Sequence, residues 1–153
     1  MKTTSIVYLI FFIIFINSCS NNEQKKSIIK EKDLNLQVQE AYQQGMESLE
    51  AGDVLYAAKK FNEVEILFPQ SIWAPRASLM SAYSYWSQQY YSNSIDELKR
   101  FIKLYSTNEN LDYAYYLLAI CYYDSIVDEK KDLLQLLKSK EYFEILINEF
   151  PNT

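Results

Sequence analysis

Two thiols and a handful of carboxylates are the groups of this chain that could enter covalent or acid–base chemistry. Cys19 stands where an apolar run stops, and Cys121 lies among Ile120, Tyr122 and Tyr123. Asp112, Asp124, Asp128 and Glu129 are the carboxylates whose grouping would suit proton transfer or a metal ion. The chain has no histidine, which removes Ser-His-Asp and Cys-His nucleophiles and every imidazole metal site. Two glycines leave no loop able to cradle a phosphate. The four carboxylates fall at a helix start and in a charged loop, where capping and solvation account for them. Cys121 has no disulfide partner if Cys19 is modified, and a lone thiol among apolar neighbours reads as a small buried hydrophobe. The chain is therefore read as a non-enzyme with no catalytic residue, metal or cofactor. A net charge of −5 argues against nonspecific nucleic-acid binding.

The chemistry left is lipidation. Met1-Lys2 is a short basic start, and Ile6 to Ile16 is an unbroken apolar run of eleven residues. A comfortable helical membrane span needs about 20, so this is a targeting segment. It ends in Ile16-Asn17-Ser18-Cys19, which resembles a bacterial lipoprotein signal, although a small residue is usual where Asn17 stands. An ordinary secretory signal or an anchor helix is the alternative. Residues 1–18 are read as the signal peptide, Cys19 as the lipidated residue, and 19–36 as a polar, charged tether. Several acyl chains on one cysteine anchor durably where a single chain holds marginally. Ser20 follows the cysteine, where aspartate marks inner-membrane retention in enterobacterial lipoproteins. By that resemblance the destination is the outer membrane, on its periplasmic face.

The elements that must position the remaining residues are helices. Val38 to Glu50 carries Ala41, Gly45, Ser48 and Leu49 at helical spacing. Ala51-Gly52-Asp53 is a turn, with glycine free for a left-handed position and aspartate able to cap the next helix. Val54 to Phe68 places Ala57, Phe61, Val64 and Phe68 on one face, and Pro69 stops it. The unit recurs: Gly45, Ala82 and Ala119 are 37 residues apart, and Ala57 is followed at that interval by Ser94. Ser139 comes 45 residues after Ser94, so the third unit carries about eight extra residues between its helices. Small residues at both helix-crossing positions resemble a tetratricopeptide repeat, whose period is about 34 residues. The longer period implies a three-residue addition around Ile72 to Ala74. The fold class is thus all-α, a helix-pair solenoid of three repeats over 37–153 (38–71, 73–107 and 111–153). In the second repeat the turn is placed at Tyr90-Tyr91-Ser92-Asn93, with Ile95, Leu98, Phe101 and Ile102 inward after it.

From about Ala41 to the end, the chain resembles the BamD (ComL) family. Phe61-Asn62-Glu63-Val64, Phe68-Pro69-Gln70-Ser71, Ala77 to Tyr85, Phe101 to Tyr105, Leu111 to Leu117, Asp124-Ser125-Ile126 and Phe143 to Asn152 carry the resemblance. The third-repeat insertion fits as well. Ser106 stands where proline is expected, and the turn at Gln88 to Tyr91 lacks glycine. Members have about five repeats, so the resemblance implies an N-terminal fragment. It also implies a lipoprotein scaffold of the β-barrel assembly (BAM) complex. Its partners would be a BamA-like barrel protein, other BAM subunits and the C-terminal signals of unfolded outer membrane proteins. A TPR lipoprotein that organises cell-wall or division proteins is the alternative.

In stacked helix pairs the first helices line a groove. Counting from Gly45, Ala82 and Ala119, positions one and four after and three and six before face it. They supply Tyr42 and Met46, then Arg76, Leu79, Tyr83 and Trp86, then Tyr113, Tyr116 and Tyr123. This aromatic wall with one cation suits an extended, aromatic-rich peptide with a carboxylate.

Overall fold

The structure, a computed structural model, describes residues 34–128 and 132–151. The lipidation expectation at Cys19 and the signal-peptide boundary lie outside the described residues. Six helices follow one another: α1 Leu34–Glu50, α2 Val54–Leu67, α3 Trp73–Ser87, α4 Tyr91–Leu104, α5 Leu111–Asp124 and α6 Leu133–Glu149. No strand occurs among the described residues. Tight turns join α1 to α2 and α3 to α4, and the longer connection carrying the insertion joins α5 to α6, so that each pair packs as a hairpin. The tether was read as reaching residue 36, but α1 begins at Leu34.

The first two hairpins close in the same way. Gly52 sits at φ 82°, and the Asp53 N–H donates to the Ser48 carbonyl (2.9 Å) and the Gly52 N–H to that of Leu49 (3.0 Å). This satisfies the carbonyls that end α1. The Asp53 carboxylate then accepts from the Tyr56 N–H at 3.2 Å and caps α2. The second turn repeats both backbone bonds, Tyr90 N–H to Tyr85 O (3.0 Å) and Gln89 N–H to Trp86 O (2.9 Å). Its left-handed residue is Gln89, at φ 65°. The turn therefore spans 88–90 and α4 begins at Tyr91, two to three residues before the position the sequence suggested.

The crossing residues meet as their spacing requires. Gly45 is buried against Phe61, and Ala57, Ala82, Ser94, Ala119 and Ser139 are all buried. The Ser94 hydroxyl donates to the Ala82 carbonyl (2.8 Å), and Ser139 does the same to Ala119 (3.0 Å). One pair is 12 residues apart and the other 20, so the insertion is absorbed without disturbing the crossing. It closes on Asp132, whose carboxylate accepts from the N–H groups of Val127 and Asp128 (both 2.9 Å). Those bonds hold the Asp132 carboxyl below its ordinary range.

Each core joins one hairpin to the next. Val38, Ala57, Phe61, Val64 and Phe68 of the first close with Ala77 of α3. Leu79, Ala82, Leu98 and Phe101 of the second close with Ala114, Leu117, Leu118 and Cys121 of α5. Cys121 is fully buried, and its thiol donates to the Ser94 hydroxyl at 3.2 Å. Burial pushes that thiol up to about 11, with the Ser94 bond opposing. It behaves as packing rather than as a nucleophile.

Successive first helices approach one another, α1 to α3 and α3 to α5, whereas the backbones of successive second helices do not. The stack therefore bends toward the first helices, which line its inner face. Long side chains cross the wider outer gap. Arg100 of α4 grips the buried Glu65 of α2 through two bonds (2.6 and 2.7 Å) and also binds Glu97. The Tyr105 hydroxyl donates to Glu65 (2.9 Å) and Asn62 to Glu97 (3.4 Å). The bond to Glu65 raises the Arg100 pKa, and burial followed by the same carboxylate pushes Tyr105 up to about 12.

Candidate peptide-binding face

The inner face is built from residues at equivalent turns of α1, α3 and α5. Position six before the crossing residue is the most open: Arg76 has a half-exposed side chain, and Tyr113 is 38% exposed. Arg76 lies over the Trp73 ring, 5.9 Å from its centroid. It reaches Glu109 only at 3.9 Å, a long contact between two exposed groups that contributes little. Its guanidinium remains open to a ligand carboxylate.

Positions one and four after the crossing residue form the wall. Tyr83 and Trp86 lie tilted together with centroids 5.6 Å apart, half-buried against the second core. The indole N–H of Trp86 donates to Asp124 at 3.0 Å, which fixes the ring between α3 and α5. Tyr123, at the equivalent turn of α5, is 58% exposed. Met46 packs against the first core and contributes only part of its side chain. Burial, and after it the nearby Tyr83 and Tyr116, raise the Tyr113 pKa, so its phenol stays a neutral donor at neutral pH.

Position three before the crossing residue is covered in the first two repeats. Leu79 is 6% exposed and sits in the second core, which corrects its assignment to the groove. Tyr42 packs edge-on to Phe61 (5.3 Å) and tilted on Trp73 of the following helix (5.0 Å). Burial raises its pKa, while Arg76 opposes. The reason is geometric: in the first two repeats a side chain at this register is covered by the next hairpin. Tyr116 shares the register, stands 45% exposed and lies edge-on to Phe143, with ring centroids 6.5 Å apart. With Tyr113, Leu146, Ile147 and Phe150 it lines a cleft of about 570 Å³. Of the candidate face, Arg76, Tyr113, Tyr116 and Tyr123 are exposed, with Tyr83 and Trp86 half-buried beside them.

The carboxylates considered for catalysis take separate tasks. Asp112 accepts from the Tyr113 N–H at the start of α5, and Asp124 holds Trp86. Asp128 is in the insertion, and Glu129 lies outside the described residues. Among the described residues no cluster of three metal-ligating side chains forms. No helix among them is long and apolar enough to cross a membrane.

Residues 34–153 match the YfiO family model, described as an outer membrane lipoprotein. The chain is also similar to proteins named outer membrane protein assembly factor BamD. The relative from Rickettsia prowazekii is 30% identical over 154 residues, covering 100% of this chain and 59% of the relative. That from Caulobacter vibrioides is 31% identical over 135 residues, covering 88% and 43%. The Pasteurella multocida relative is 26% identical, covering 75% and 48%. The chain thus spans about half of the curated relatives it matches.

Proposed function

The chain belongs to the YfiO family of outer membrane lipoproteins, and on that premise we propose that it is a lipid-anchored subunit of the β-barrel assembly machinery. It acts on the periplasmic side, tethered through Cys19, with residues 19–33 as the leash. Its inner face holds the C-terminal signal of an unfolded outer membrane protein, and it works beside a BamA-like barrel protein and other assembly subunits. The work is protein–protein contact, not catalysis.

The observation that carries this reading is the aromatic row on the first helices with a cation at one end. Tyr83, Trp86, Tyr113 and Tyr123 present ring faces and phenol donors, and Arg76, lying over Trp73, presents a guanidinium whose ion pair with Glu109 is long. An extended peptide with alternate aromatic side chains and a terminal carboxylate satisfies both features: rings contribute area and the guanidinium pairs the carboxylate. Similarity to proteins named as assembly factors supports the same role.

The test is fluorescence anisotropy with a labelled peptide from the last strand of a barrel protein, ending in phenylalanine. Binding should weaken by about tenfold or more in a Tyr113→Ser, Tyr123→Ser variant, since aromatic anchors dominate such contacts. It should weaken again when the peptide carboxylate is amidated, and that second loss should vanish in Arg76→Gln. Equal affinity across these variants would remove the inner face from the account.

A further inference from the structure

The connection between α2 and α3 is unlike the others. From Ile66 to Pro75 the chain carries no charged residue. Ile66 is 74% exposed, Leu67 60% and Ile72 76%. Because the hairpins are antiparallel, this connection lies at the same edge as the start of α1, where Leu34 is 64% exposed. The chain upstream of Leu34 enters at that edge. Cys19 lies 15 residues before Leu34, a reach of at most about 50 Å when fully extended. The opposite edge also exposes apolar side chains, Val127 and Leu134 among them, but sets them among Glu50, Asp53, Asp124, Asp128 and Asp132. The carboxylates at the edge of the α2–α3 connection, Glu63 paired with Lys60, Glu109 and Glu149, lie outside its apolar run, whereas those of the opposite edge stand among its apolar side chains and oppose approach to an anionic lipid surface.

We infer that the α2–α3 connection is a second membrane contact, dipping Ile66, Leu67 and Ile72 into the headgroup–acyl boundary of the leaflet that holds the lipid anchor. Shallow insertion of this kind reaches about 5–10 Å. Lys59 lies seven residues before Ile66 on α2, about 10 Å up the helix axis, level with headgroup phosphates. Trp73, next to Ile72, is a residue type that settles at such interfaces. The lipid supplies attachment and the connection supplies orientation, so the inner face is held at a fixed aspect to the membrane. This inference rests on the lipid-anchor clause of the proposed function.

The full chain, purified from membranes, is reconstituted into phosphatidylethanolamine–phosphatidylglycerol vesicles with dibrominated acyl chains. Its intact mass reports acylation and flotation reports attachment. Tryptophan emission is compared between Trp86→Phe and Trp73→Phe variants. The expected result is quenching of Trp73 and none of Trp86, with the Trp73 quenching lost in Ile66→Asp, Ile72→Asp while the chain still floats. Hydrogen exchange on the unsubstituted chain gives a second reading: amides of 66–73 should gain protection on vesicles and those of 121–128 should not. An acylated, floating chain with both tryptophans equally quenched, or neither, overturns the oriented contact and leaves the anchor standing. A chain that is not acylated and does not float overturns both.

Discussion

The closest helix crossing offers a sharp test of the packing. A Cβ added at Gly45 would lie 2.7 Å from Cε1 of Phe61 and 2.9 Å from both Cδ1 and Cζ. Phe61 is fully buried and held edge-on by Tyr42, so its ring has no empty space to enter. Ordinary carbon contacts begin near 3.5 Å, so the helices must part by roughly 1 Å. Overpacking costs about 1–3 kcal/mol, and with three ring atoms inside 3.0 Å the upper part of that range applies here, about 2–3 kcal/mol. Replacing glycine inside a helix returns about 1 kcal/mol. Gly45→Ala should therefore destabilise by about 1–2 kcal/mol and lower Tm by roughly 3–8 °C in a domain of this size. Thermal melts by circular dichroism measure it. In a Phe61→Leu background the same substitution should become neutral or stabilising, because the clash goes and the helix preference stays. An unchanged or higher Tm for Gly45→Ala alone would refute the described crossing.

Three further outcomes follow from the same geometry. Gln89 holds a left-handed conformation that costs an ordinary residue about 1–2 kcal/mol, so Gln89→Gly should stabilise by about 0.5–1 kcal/mol in urea unfolding, after its own unfolded-state entropy. Arg100→Met leaves the Glu65 carboxylate buried with only the Tyr105 hydroxyl. Because Arg100 is itself 37% exposed, the loss should be about 2–3 kcal/mol, below that of a fully buried pair, and Glu65→Met, Arg100→Met together should recover much of it. Tyr105 titrates near 12 when folded against an ordinary 10. Its neutral form is favoured by folding, so its contribution is intact below pH 10 and lost as pH rises from 10 to 12. Tyr105→Phe should flatten the stability loss across that window in alkaline unfolding.

What could be read from the sequence was whatever depends on small residues at helical spacing. Gly45, Ala82 and Ala119 announced the crossings because only short side chains let helices meet there, and Ser139 located the third crossing despite the insertion. The second turn was misplaced because Gln89 adopts its backbone without the glycine that advertises it. Leu79 and Tyr42 were put on the inner face because a count of 3.6 residues per turn locates a helix stripe but not which neighbour covers it. The following hairpin covers both. The bond between Glu65 and Arg100 was missed because charged residues are read by default as solvated. Their 35-residue separation, close to the repeat period, was the available signal.

The central claim is that the first helices hold unfolded barrel proteins. It is tested most directly by photo-crosslinking in the envelope of living cells, with benzoylphenylalanine in place of Tyr113, Tyr123 or Lys59. Tyr113 and Tyr123 lie on the inner face, whereas Lys59 is exposed on the second helix of the first hairpin. The account predicts adducts containing C-terminal segments of outer membrane barrel proteins at Tyr113 and Tyr123 and none at Lys59. Barrel adducts of equal yield at all three positions, or at none, would contradict it.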